Sequence, residues 1–423
     1  MDKYISNQPF FNIGCLGSVS EGKSTLVEIL TGIKTQTHSK EKVKNITIKQ
    51  GYCNMKIWKE ENKYITTNGD KKLDLKLKNY ISFVDCPGHH SYILTALSSI
   101  YLMDGVVIVI AVDQPLSTKS QLLQHLIAIK IANIKKIIIC LNKIDLVEKY
   151  TVLSIKNELD EILEKLDIKP FIIIPTSFNK NLGVDYIIES IMTLFNPEDK
   201  FNLFTNEENP IFQISRSFDI NKPGTILYSN DILNNNIENN LFKLKGGVLG
   251  GSLIKGKLKI DDIIEIKPGN ILNINNKMSC ESIKSKIISI KTDKTDLEEI
   301  IPGGLIGILT DIDPYYCKND SNLNSNLFGN LLGLINNLPN IYTELTLNIN
   351  IINIFDFIWK PKLNDIVILQ IGIASTNASI SKINNNKILF KFNKPICITH
   401  NQHIIICYNI NNILKIVADS YIN

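Results

Sequence analysis

Residues 17–24 constrain the fold most: they read Gly17-Ser18-Val19-Ser20-Glu21-Gly22-Lys23-Ser24 and fit G-x-x-x-x-G-K-[ST]. An apolar run, Phe11–Leu16, precedes them and a helical pattern, Lys23–Leu30, follows, the strand–loop–helix context this motif requires. Glycines let the backbone curl around a phosphate, and the helix start aims free N–H groups at it. Lys23 is expected to reach the β- and γ-phosphates of a nucleotide and Ser24 to ligate Mg²⁺. Thr25 completes the candidate contacts. Glu21 is out of character, because a carboxylate beside phosphate is unfavourable unless its side chain points to solvent.

Such a unit needs a sheet covered by helices, and the first ~200 residues of the chain supply one. Short apolar runs at Ile81–Asp85, Val106–Val112, Lys136–Leu141 and Phe171–Pro175 alternate with helical patterns at Lys119–Ile131 and Val152–Leu166. A polar break, Asn196–Asn209, ends this region. From about Pro210 to Asp313 the pattern turns to short strands with Gly turns, and β-type segments resume at Ile366–Ile373, Lys387–Phe392 and Gln402–Ile410. The expected architecture is multidomain: an α/β domain with a mostly parallel sheet over 1–203, then β-barrels over 207–320 and 327–423. Asn230–Asn240 is an Asn-rich surface insertion and Asn319–Asn326 a linker.

Composition excludes several classes. With 44% hydrophobic and 21% charged residues the chain is globular, and a net charge of +4 advertises no bulk affinity for nucleic acid. The longest apolar run is too short to cross a bilayer, and the start lacks a signal-peptide pattern. Eight scattered cysteines without a close C-x-x-C pair predict reduced thiols, a cytoplasmic setting and no zinc. Arg216 is the single arginine among 46 basic residues, in an Ile-, Asn- and Lys-rich chain that points to an AT-biased genome.

Two further motifs follow in order. Asp85-Cys-Pro-Gly88 ends an apolar strand, where the carboxylate can hold Mg²⁺ through water and the Gly88 N–H can meet a γ-phosphate. Asn142-Lys143-Ile-Asp145 follows another strand. The Asp145 carboxylate can accept both N1–H and the exocyclic amine of guanine; adenine lacks that donor pair. Asn142 can tie the loops together, the Lys143 stem can cover the ring, and the Ser177 backbone can contact the guanine oxygen. GTP or GDP with Mg²⁺ is therefore the expected cofactor set.

Longer strings carry a resemblance. Asn45-Ile-Thr47-Ile-Lys-Gln-Gly51-Tyr52, Asp85-Cys-Pro-Gly-His89, Arg216-Ser-Phe-Asp-Ile-Asn-Lys-Pro-Gly224, Lys245-Gly-Gly-Val-Leu-Gly-Gly-Ser252, Pro302-Gly-Gly-Leu-Ile-Gly307 and Leu338-Pro-Asn-Ile-Tyr-Thr-Glu344 resemble the gamma subunit of eukaryotic and archaeal translation initiation factor two, a translational GTPase. The resemblance covers nearly the whole chain. It implies one GTPase domain with two β-barrels, and a heterotrimer with alpha and beta subunits. That heterotrimer carries initiator methionyl-tRNA to the small ribosomal subunit and is served by GTPase-activating and nucleotide-exchange factors. By residue match, Thr47 is the first-switch threonine meeting Mg²⁺ and the γ-phosphate. His89 is the second-switch histidine that positions water, and with Thr47 and Lys23 it forms the catalytic set. Tyr52, beside the first switch, and Arg216 are the tRNA candidates. The family usually has His at the positions of Ser18 and Glu21, and a small residue at that of Phe178. Rival readings are an elongation-type tRNA-delivery factor and a GTP-binding module that no longer hydrolyses.

Overall fold

The structure is a computed structural model that describes residues 2–34, 51–61, 63–67, 75–169, 171–204, 208–221, 245–274, 277–293, 295–317, 327–353 and 358–422. Thr47, the Asn230–Asn240 insertion and the Asn319–Asn326 stretch lie outside the described residues.

The first domain is a seven-stranded sheet: β1 Phe11–Leu16, β2 Gly51–Glu60, β3 Lys63–Thr67, β4 Lys76–Asp85, β5 Gly105–Ala111, β6 Lys136–Asn142 and β7 Ile172–Pro175. Its order is β3-β2-β4-β1-β5-β6-β7. The pairs from β4 to β7 are parallel, and β2 is antiparallel to both β3 and β4. β1 and β5 are buried along their full lengths, as strands covered on both faces must be; the apolar sequence of β5 follows from that, and the one polar side chain of β1, Asn12, is buried with its Nδ2 donating to the Leu102 carbonyl at 2.9 Å. The helices are α1 Asp2–Asn7, α2 Lys23–Thr31, α3 Ile93–Ile100, α4 Ser120–Ile131, α5 Lys149–Lys165, α6 Val184–Leu194 and α7 Pro197–Leu203. In α5 the buried residues are Ile155, Leu159 and Leu163, a four-residue spacing that puts one stripe on the sheet. The polar break expected at Asn196–Asn209 contains α7.

The remaining strands are β8 Ile211–Phe218, β9 Val248–Lys255, β10 Leu258–Lys259, β11 Ile263–Ile274, β12 Lys277–Thr292, β13 Thr295–Leu297, β14 Glu299–Ile300, β15 Ile306–Thr310, β16 Leu331–Leu334, β17 Ile341–Ile351, β18 Ile366–Ile371, β19 Ala374–Asn384, β20 Lys387–Cys397, β21 Gln402–Ile410 and β22 Ile413–Ile422. Twelve of them make two closed six-stranded barrels; β10 pairs with β14, and β13 extends from β12. In the first, the run β11-β16-β8-β9-β15-β12 closes through pairing of β11 with β12 around Phe212, Ile214, Leu249, Ile264 and Ile308. The second is β17-β20-β19-β18-β21-β22. β16 pairs with β8 and β11 of the first barrel, although the boundary expected from sequence assigns residues 327–340 to the last domain. β15 and β16, the strands before and after the Asn319–Asn326 stretch in sequence, both belong to the first barrel, so an Asn-rich composition does not by itself mark a domain end.

The chain divides into two compact units. One comprises Met1–Leu203, Thr343–Asn393 and Thr399–Asn423; the other comprises Phe204–Tyr342 and Lys394–Ile398. Within the first unit, helices of the α/β domain pack on the last barrel. The Tyr101 hydroxyl donates to the His403 carbonyl at 3.0 Å, and Ile416 N–H donates to Gln124 Oε1 of α4 at 2.9 Å.

Candidate functional site

The loop at the end of β1 curls as its sequence requires. Ser20 has φ 62° and Gly22 φ 105°. A Cβ on Gly22 would lie 2.5 Å from Asn142 Nδ2, so the position demands glycine for both conformation and space. Gly22 is also the N-cap of α2, which leaves the first-turn N–H groups of the helix facing the loop. Lys23 Nζ donates to the Ser18 carbonyl at 2.5 Å and lies over Gly88, where a Cβ would come within 2.5 Å of it. The phosphate loop, Lys23 and the Asp85–Gly88 turn therefore meet at one point. The Ser18 hydroxyl is buried without a hydrogen-bond partner among the described residues, a polar group suited to a phosphate oxygen. Val19, Ser20 and Thr25 are exposed at the rim.

Asp85 is fully buried at the end of β4, in register with Cys15 of β1 and Gly51 of β2. Its Oδ2 accepts the Ser24 hydroxyl at 2.8 Å. A hydroxyl and a carboxylate brought together from the two motifs are hard oxygen donors of the kind Mg²⁺ takes beside phosphates, so the residues fit that ion. The Cys86 thiol beside them is pushed up to about 12 by burial and is inert at neutral pH.

The Asn142–Asp145 loop is tied directly to the Gly17–Ser24 loop. Asn142 is buried; its Nδ2 donates to the Glu21 carbonyl at 2.9 Å, and its Oδ1 accepts the Phe178 N–H at 3.1 Å. Lys143 adopts the left-handed conformation, φ 66°, and pairs with Asp113 at 2.8 Å. Asp145 sits in the turn Ile144–Leu146. The Ser177 hydroxyl first, and Lys180 at 3.8 Å after it, hold its carboxyl below the usual carboxylate range, so it is an acceptor at neutral pH. Phe178 is buried beside Gly22. There the larger ring packs the two loops together.

Glu21 does not point to solvent. It is 3% exposed and turns inward. Oε2 accepts the Ala111 N–H at 2.6 Å, and Oε1 lies 2.7 Å from Lys119 Nζ. Burial raises its pKa, and the hydrogen bond and charge of Lys119 oppose the rise. The sequence expectation lacked this third option because the partner is 98 residues away. Lys119 and Ala111 were not legible as site residues; the only signal was the misplaced acidic residue itself.

His89 is half-buried. Its Nδ1 accepts the Ser91 N–H at 3.3 Å, and its ring centroid lies 6.0 Å from that of Tyr92. Tyr52 is half-buried at the start of β2 opposite Val84. Arg216 lies in the other unit, partly buried on β8 opposite Gly250.

The family model described as Elongation factor Tu GTP binding domain matches residues 8–197, and that described as Initiation factor eIF2 gamma, C terminal matches residues 349–420. The chain is 33% identical over 431 residues to Eukaryotic translation initiation factor 2 subunit gamma of Encephalitozoon cuniculi, covering 98% of this chain and 92% of the relative. It is 32% identical over 427 residues to Translation initiation factor 2 subunit gamma of Pyrococcus furiosus, covering 99% and 98%. Among solved structures, translation elongation factor SelB from Methanococcus maripaludis in complex with the GTP analogue GppNHp matches with TM-score 0.69. That match covers 99% of this chain and 80% of SelB at 18% identity, a likeness of fold. The chain therefore belongs to the gamma-subunit family of translation initiation factor 2, among the GTP-binding GTPases of translation.

Proposed function

We propose that this chain is the nucleotide-binding subunit of a heterotrimer with alpha and beta subunits, and that it carries initiator methionyl-tRNA to the small ribosomal subunit while GTP is bound. The observation that carries the reading is the joining of two loops: Asn142 holds the base-selecting turn of Asp145 to the phosphate loop at Glu21, in a chain similar over nearly its full length to gamma subunits.

Asp145, ionised at neutral pH, accepts the two guanine donors, and the Lys143 stem covers the ring. The phosphate-loop N–H groups and Lys23 hold the β- and γ-phosphates. Ser24, Thr47 and Asp85 would hold Mg²⁺. Mg²⁺ supplies neutralisation of charge on the β- and γ-phosphate oxygens. Thr47 and Gly88 draw the two switches to the γ-phosphate, and that ordered state favours the tRNA at Tyr52. His89 positions the attacking water. Loss of the γ-phosphate releases the switches and the cargo. Intrinsic hydrolysis is slow, because residues 1–203, which carry the nucleotide motifs, contain no arginine; activating and exchange factors set the cycle. Filter binding of initiator and elongator aminoacyl-tRNA, with GTP and with GDP, tests the reading. Preference for the initiator that weakens with GDP is expected, and equal retention of both tRNAs overturns it in favour of an elongation-type factor.

A further inference from the structure

The phosphate loop contains a carboxylate, yet the site reads as one for a guanosine di- or triphosphate. Glu21 is fixed by three polar contacts: its carbonyl by Asn142, one carboxylate oxygen by the Ala111 N–H, the other by Lys119. The Glu21 and Lys119 side chains are 3% and 4% exposed. Lys119 immediately precedes α4 in a non-helical conformation, φ −102° and ψ 55°, so its backbone is set by the helix start rather than by the loop. The ion pair therefore joins the phosphate loop to an element that the nucleotide motifs do not include.

Burying two charges is costly, and a pair of this kind is weak evidence of added stability. Removing one partner is different, because the remaining charge stays buried and uncompensated. A Glu21 carboxylate without Lys119 escapes that cost by rotating out to the open side of its own loop, where the phosphates bind. There it repels them. We propose that Lys119 is a positioning residue of the nucleotide site: by holding the Glu21 carboxylate behind the phosphate loop it keeps negative charge away from the phosphates and fixes the loop that binds them. This rests on the guanine-nucleotide reading above.

The test is release of a fluorescent GDP analogue from the full chain with Mg²⁺, chased with unlabelled GDP. Lys119→Met is expected to release it at least about tenfold faster, and Glu21→Gln, which keeps an acceptor for Ala111, about threefold faster. The double variant Glu21→Gln/Lys119→Met is expected to match Glu21→Gln, because no stranded carboxylate remains. Lys119→Met within about twofold of the parent chain, or a double variant as fast as Lys119→Met alone, overturns the proposal. Should Lys119→Met not fold, Glu21→Asp asks the same question with the charge kept. One methylene shorter, its carboxylate cannot span Ala111 and Lys119, and release is expected to be faster than for Glu21→Gln by about threefold or more. A loop that merely needs packing gives the opposite order, which overturns the proposal. A parent chain that binds neither GDP nor GTP overturns the nucleotide reading and the proposal with it, whereas a parent that binds and variants that do not differ overturn the proposal alone.

Discussion

His125, one turn and a half into α4, gives the first unit a pH dependence that can be worked out in advance. It is 1% exposed, its Nδ1 has no hydrogen-bond partner among the described residues, and burial, with the charge of Lys23, lowers its pKa from 6.5 to about 3. A base whose folded pKa is depressed stays neutral in the fold while the unfolded chain takes up a proton. Stability therefore falls as pH drops below the unfolded value of 6.5 and levels only near the folded value. Between pH 7 and pH 5 the unfolded state gains about 2 kcal/mol from this one proton, at about 1.4 kcal/mol per pKa unit. Carboxylates titrate over part of the same range, so the effect is read as a difference from His125→Gln, which keeps them and loses the imidazole. Both tryptophans, Trp58 and Trp359, lie in the unit that holds His125, so urea unfolding followed by their fluorescence reports on that unit. The parent chain should lose about 2 kcal/mol more than His125→Gln on going from pH 7 to pH 5. Equal losses would refute the claim that this imidazole is buried and neutral.

Asp145→Asn should weaken GTP binding by about tenfold or more and gain affinity for xanthosine nucleotides, whose carbonyl accepts from the amide; competition titrations check this, and unchanged GTP affinity counts against Asp145 as the base selector. His89→Ala should leave GTP affinity within about threefold and cut factor-stimulated single-turnover hydrolysis by about 100-fold, since the lost contact is to water rather than to bound nucleotide; normal stimulated turnover removes His89 from that role. Gln124→Ala leaves the Ile416 N–H of the last barrel without its acceptor and should cost about 1–3 kcal/mol in the tryptophan-detected unfolding of the first unit. A loss below about 0.5 kcal/mol shows that the bond between helix and barrel is not a source of stability.

The strands that sequence made legible are those buried on both faces. Val106–Val112 and Ile137–Leu141 are continuous apolar runs and Phe11–Leu16 is interrupted only by the polar Asn12, and a parallel sheet covered by helices requires such runs. The β2–β3 hairpin went unread. Gly51–Glu60 alternates buried and half-buried positions and carries Lys56, Lys59 and Asn54, so its pattern is diluted by the Lys- and Asn-rich usage that makes surface residues uninformative here. Lys56 is even buried, with Nζ donating to the Ser6 carbonyl at 2.9 Å, a tertiary contact that no periodicity announces. α3 failed for another reason: Ile93–Ile100 is mostly buried, with the Ser98 and Ser99 hydroxyls turned back onto the Thr95 carbonyl, and a short buried run without an exposed charged face does not distinguish helix from buried strand.

The site divides along the same physical line. Gly17, Gly22, Lys23, Ser24, Asp85 and Asn142 are candidates that spacing alone offers, because a phosphate or a metal ion would dictate backbone shape and donor type locally, and the fold brings these candidates together. What holds these motifs in register is not local. The Glu21 carbonyl meets Asn142 across 121 residues and its carboxylate meets Lys119 across 98, distances over which only the packed sheet sets who meets whom. Glu21 looked unfavourable in sequence because a carboxylate in a phosphate loop was weighed against two environments, phosphate and water. The fold adds a third, a buried cation on the first residue before α4, and there the electrostatic objection changes sign. A residue that breaks its local rule thus marks where tertiary structure has supplied a partner, and the partner is found by following the side chain rather than the motif.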